Sequence, residues 1–106
     1  KKMIGAINDK HFVKFEGINL ADVGGILVRA SSGNVGGTIE FREGSLEGEL
    51  LGSVEIPNTG GWDKWIEKPV SLTHQSDARS DVFAIFVNPR KGGLMNLDWV
   101  QFEPRR

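Results

Sequence analysis

Val23-Gly-Gly-Ile-Leu-Val-Arg-Ala30 decides the fold class. Every second residue from Ile26 is apolar, so Ile26, Val28 and Ala30 share one face, which is the period of a strand with one side turned to a core. Working outward, Thr38-Ile-Glu-Phe-Arg42 repeats the pattern with Ile39 and Phe41 inward and Glu40 and Arg42 outward. Ser53-Val-Glu-Ile56 and Lys68-Pro-Val-Ser-Leu72 alternate in the same way. Asp81-Val-Phe-Ala-Ile-Phe-Val87 is apolar on both faces and predicts a central strand covered on both sides. Phe12 to Phe15 and Leu97 to Phe102 bring the set to about seven or eight short strands.

Turn chemistry separates these runs: Ser31-Ser-Gly-Asn34, Gly36-Gly37, Asn58-Thr-Gly-Gly61, Asn88-Pro89 and Gly92-Gly93. Apolar residues nowhere recur at three and four over several turns, and Glu43–Glu49, broken by Gly44 and Gly48, predicts a polar loop. Fourteen glycines among regularly spaced strands predict an all-β fold, an antiparallel β-sandwich or jelly roll. With 106 residues, the span 1–106 is expected to form a single domain large enough for one core without staples.

Composition excludes several functions. The net charge is −1 and the Lys and Arg residues are scattered, which argues against a nucleic-acid partner, since backbone binding needs a concentrated basic face. No apolar run reaches the ~20 residues of a membrane helix, and Lys1–Lys2 is followed by too short an apolar stretch for a signal peptide. The absence of Cys removes disulfides, thiolate nucleophiles and zinc–thiolate sites. Paired carboxylates of a glycosidase are not expected from Glu40, Glu43, Glu47, Glu49, Glu55 and Glu67, which fall on outward strand positions or polar loops. Ser31-Ser32 lacks the context of a nucleophile elbow, and His11 and His74 lack triad or metal spacing. Gly33-Asn-Val-Gly-Gly37 has no Lys and no following helix, and predicts a hairpin turn rather than a phosphate loop. An independent enzyme is not expected.

Asn58-Thr-Gly-Gly-Trp-Asp-Lys-Trp65, followed by Leu94-Met-Asn-Leu-Asp-Trp-Val-Gln-Phe102, resembles the family 6 carbohydrate-binding modules. Those modules carry a Thr-Gly-Gly-Trp loop before one strand and an Asn-(Leu/Ile)-(Asp/Asn)-Trp run entering the last. Val28-Arg-Ala-Ser-Ser32, Gly37-Thr-Ile-Glu-Phe41 with Leu50-Leu-Gly-Ser-Val54, and Ile4-Gly-Ala-Ile-Asn-Asp9 with Phe12-Val-Lys-Phe15 are similar to further family segments in the same order. The family as usually bounded has one more strand upstream, rich in Glu, which is not visible here.

The resemblance implies a non-catalytic module that binds polysaccharide or oligosaccharide, of the plant or algal β-glycan type, beside the catalytic domain of a secreted or cell-surface enzyme. Its sugar site lies at the loop end, where two aromatic rings clamp a sugar and an Asn amide bonds its hydroxyls. Trp62 matches one ring and Asn96 the amide, whereas the second ring's position is Ala6. Phe12, His11 or Trp65 are the candidates to replace the lost ring. By residue context alone, Trp65 is expected in the core or at the rim and Trp99 in the core. The resemblance also implies a structural Ca²⁺, for which Asp98 matches one ligand; calcium takes 6–8 oxygen donors.

A pyranose presents axial C–H groups to an exposed indole. One such contact burying about 60–100 Å² contributes roughly 1.5–2.5 kcal/mol. Millimolar affinity needs about −4 kcal/mol, so one ring and one amide are expected to give millimolar or weaker binding to short oligosaccharides. The alternative reading is a degenerate sandwich serving as a structural or protein-docking domain. A third is a groove on the concave sheet face, whose residues the sequence does not assign.

Overall fold

The computed structural model describes the backbone of residues 4–7 and all of residues 10–34, 36–88 and 95–104. Nine strands lie among them: β1 (Ile4–Ile7), β2 (Phe12–Asn19), β3 (Val23–Ser32), β4 (Gly37–Glu43), β5 (Leu50–Ile56), β6 (Gly61–Pro69), β7 (Ser71–Leu72), β8 (Arg79–Val87) and β9 (Met95–Pro104). A single 3-10 turn, Leu20–Asp22, joins β2 to β3. The strands form a four-stranded sheet, β1-β9-β3-β6, and a five-stranded sheet, β2-β8-β4-β5-β7, with every pairing antiparallel. The expected β-sandwich is the observed fold.

The core is what the alternation predicts. Ile26, Val28 and Ala30 of β3, with Leu97 of the adjacent β9, face Ile39 and Phe41 of β4 and Val82, Ala84 and Phe86 of β8, all nearly or wholly buried. Burial of these apolar side chains is the main force closing the two sheets on each other.

Three strand readings change. Lys68–Leu72 is not one strand: β6 ends at Pro69 in the four-stranded sheet, and Ser71–Leu72 is β7 in the five-stranded one. The crossing is pinned at Val70, which is buried and donates its N–H to the Ile26 carbonyl at 2.8 Å. Val70 and Leu72 keep the period although their strands belong to different sheets.

β8 is central, yet only one of its faces is covered. Val82, Ala84 and Phe86 are buried in the core, whereas Phe83, Ile85 and Val87 are half-buried on the outer face. Phe12, 48% exposed, tilts against Phe83 at 5.7 Å between ring centroids, so this outer row is an apolar strip on the surface.

The Gly33–Gly37 stretch makes no hairpin. It carries the chain from β3 in one sheet to β4 in the other, as do the connections β1–β2, β5–β6 and β8–β9 at the same end. The β4–β5 pair is a hairpin at the opposite end, with Glu43–Glu49 as its polar loop.

The outer face of the four-stranded sheet carries a charged and aromatic cluster. Arg29 of β3 lies opposite Glu67 on β6 and Trp99 on β9. Its Nε donates to Asp98 at 3.0 Å, one terminal nitrogen donates to Glu67 at 3.3 Å, and its guanidinium lies 5.6 Å from the centre of the Trp65 ring. Trp99 is therefore half-buried on the outside and not in the core. Arg29→Met, which keeps the stem's packing, is expected to lower stability by about 1 kcal/mol in a denaturant titration, since both ion pairs are partly exposed.

Candidate functional site

One end of the sandwich gathers the strand ends Ile7, Ser32, Ile56 and Val87 and the strand starts Phe12, Gly37, Gly61 and Met95. Trp62 and Asn96 both lie at this end. Asn96 enters β9 opposite Ser31 at the close of β3. On the other side of β3 the ladder with β6 jumps from Ile66 opposite Ala30 to Gly61 opposite Ser32. Residues 62–65 thus bulge out of the pairing, and this bulge carries the indole. A bulge re-aims side chains that a regular ladder would hold flat to the sheet.

Trp62 is 44% exposed, as its glycine-flanked setting predicts. Its carbonyl is held by two side chains: the Ser31 hydroxyl donates to it at 2.6 Å and the Asn96 amide nitrogen at 3.3 Å. Asn96 and Trp62 are therefore brought together, through the backbone of one and the amide of the other.

The loop before Trp62 is laced to β3. Ser32 donates its N–H to the Thr59 hydroxyl at 3.0 Å, and Thr59 donates its N–H to the Ser32 carbonyl at 2.8 Å. Asn58 Oδ1 accepts the Gly60 N–H at 2.7 Å, closing a turn in which Gly60 has φ +100°, a region that favours glycine. On the other side, Ser32 Oγ accepts the N–H groups of Asn34 and Gly36 at 3.2 and 3.1 Å.

Ser31 and Ser32 are wholly buried. They are the residues whose importance the sequence hides: not nucleophiles, but anchors for the two loops that frame Trp62. Ser32→Ala is expected to cost about 1–3 kcal/mol, because the N–H of buried Gly36 loses its acceptor; a shifted denaturant midpoint is the measurement.

The other sequence candidates fall elsewhere. The backbone of Ala6 lies in β1 beside β9, and its side chain lies outside the described residues. Trp65 stands over Arg29 on the outer sheet face. Phe12 belongs to the apolar strip on the opposite sheet. Asp98 is paired with Arg29. Among the described residues no three His, Cys, Asp or Glu side chains come together as a metal site.

A cleft of about 620 Å³ opens at the loop end of the five-stranded sheet, lined by Thr38, Glu55, Asn58, Lys68, Val87 and Asn88 among others. A second, of about 530 Å³, continues along β5 and shares Thr38, Glu55 and Lys68 with it. Together they mark a groove on that sheet's outer face.

Residues 1–104 match the model of the carbohydrate binding module (family 6), and the chain belongs to that family: it is a non-catalytic carbohydrate-binding module. It is 31% identical over 110 residues, 95% of its length, to the arabinoxylan arabinofuranohydrolase of Bacillus subtilis (strain 168). It is 38% identical over 71 residues, 67% of its length, to the enzyme of the same name from Paenibacillus polymyxa. The chain spans 21% and 11% of these two relatives, and so corresponds to one small part of each. Among solved structures, a β-1,3-glucan binding family 6 module from Bacillus halodurans superposes with a TM-score of 0.84 at 40% identity, over 95% of this chain and 75% of that one.

Proposed function

We propose that this module holds β-linked polysaccharide at its loop end, with the Trp62 indole as the platform for a sugar ring and the Asn96 amide as a hydroxyl partner. The observation that carries this reading is the half-exposed indole, set on a bulge and tied through its own carbonyl to Asn96. A backbone already held at the ring's attachment point needs no further ordering when a pyranose stacks on the indole, which lowers the cost a modest apolar contact has to offset. The module then keeps the catalytic domain of a parent glycoside hydrolase, secreted or on the cell surface, near plant or algal polysaccharide. Its benefit is effective concentration rather than chemistry.

In the sequence, the segments 8–11, 33–36, 57–60 and 88–94 contain no Phe, Tyr or Trp, and residue 6 is Ala. The platform is therefore one ring without an opposing one from these segments. That composition favours a second reading, a sandwich that has lost its sugar site and serves as a structural or docking domain. Electrophoresis through gels containing xylan, β-1,3-glucan or agarose separates the two: retardation in at least one gel supports sugar binding, and unchanged mobility in all of them supports the scaffold.

A further inference from the structure

The face of Trp62 turned toward the protein rests on Gly33. A β-carbon built at Gly33 would lie 2.7 Å from the indole Nε1, 2.8 Å from Cδ1 and 2.9 Å from Cε2. Near-equal distances to a ring atom and its two bonded neighbours put that β-carbon above the ring plane, since an atom beyond the edge would be much farther from the neighbours than from Nε1. The glycine backbone is thus a flat seat beneath the five-membered ring of an indole that is 44% exposed. All three distances are shorter than real β-carbon contacts, so a side chain at position 33 obliges the half-exposed ring to move while its carbonyl stays held by Ser31 and Asn96.

We propose that Gly33 is a positioning residue for the sugar platform: its missing side chain lets the Trp62 indole lie back on the β3–β4 connection and present one face only. This rests on the reading of Trp62 as the sugar-stacking ring, but the seating itself does not. Gly33 is exposed, follows the end of β3, and has no left-handed φ. Alanine there is not strained by the backbone, so its effect reaches the site through the β-carbon meeting the ring. The hydrogen bonds that lace the loops through Ser32 and Thr59 use no atom of residue 33.

Gly33→Ala, read by tryptophan fluorescence and acrylamide quenching, separates seating from sugar binding. The substitution is expected to lift the indole, raising its quenching and shifting the emission to longer wavelength, and to produce neither change in a Trp62→Phe background. Retardation in the gel that holds the wild type is expected to weaken by about tenfold or more, as far as it does on removing the ring. Unchanged fluorescence in Gly33→Ala overturns the proposal, and so does full retardation alongside altered fluorescence. If the wild type runs freely in every gel, the sugar reading fails while the quenching result still decides whether Gly33 seats the ring.

Discussion

Trp62→Ala is expected to abolish retardation in every polysaccharide gel that slows the wild type. A stacked pyranose and indole bury about 60–100 Å² of apolar surface, contributing roughly 1.5–2.5 kcal/mol, or on the order of 10- to 70-fold in affinity. A site with one ring begins near the millimolar range, where this loss carries it out of measurement. Because the side chain is 44% exposed, its removal leaves the core intact, and the melting temperature is expected to move little. Titration calorimetry against xylo-, cello- and laminari-oligosaccharides should give millimolar constants or none for the wild type. A micromolar constant that survives in Trp62→Ala would place the binding elsewhere, with the groove along β5 as the first place to look.

The second large effect is on stability. Phe86 and Phe41 are wholly buried and lie on neighbouring strands, β8 and β4, at the middle of the five-stranded sheet. Phe86→Ala is expected to cost about 3–5 kcal/mol, the sum of lost transfer energy and the cavity left behind. Domains of this size are commonly stable by about 5–15 kcal/mol, so the variant should lose a large share of its folding free energy. The backbone of residue 86 also pins the start of β2, donating to the His11 carbonyl at 2.9 Å and accepting from Lys10 N–H at 2.6 Å, so disorder at the cavity would loosen the loop end too. Phe83, three residues earlier and half-buried on the outer face, is the control. Phe83→Ala is expected to cost less than half as much in the same denaturant titration, because its site opens to water instead of leaving a void.

Alternation made the sandwich readable, since buried and less buried positions alternate from Ile26 to Ala30 in β3 and from Ile39 to Arg42 in β4. It failed where period two has two causes. Val70 and Leu72 alternate like neighbours on one strand, yet the chain changes sheet at Val70, and a pattern of side chains records which way they point but not which strand they pair with. The apolar outer row of β8 reads like a second buried face, because a surface strip and a covered layer have the same composition. Trp99 sits outside because the β3–β9 ladder steps from Leu97 opposite Ala30 to Trp99 opposite Arg29, and this irregularity takes residue 99 off the inward parity of Met95 and Leu97, which no alternation in the sequence records.

At the site, Gly60-Gly61-Trp62 was legible through its glycines. The anchoring by Ser31, Ser32 and Thr59 was not, as hydrogen bonds between residues 27 and 31 positions apart leave no local periodicity. The clearest hint was two adjacent serines closing an apolar strand.

The four connections at the loop end all pass from one sheet to the other. In a hairpin, turn length sets which residues pair, so an inserted residue slips a whole strand. No such linkage exists at this end, where strand alignment is set by the packed interior and by ladders that start elsewhere. Insertions, deletions and substitutions in these connections can therefore accumulate without re-registering the sheets, which leaves this end of the molecule free to diversify while the framework stays the same.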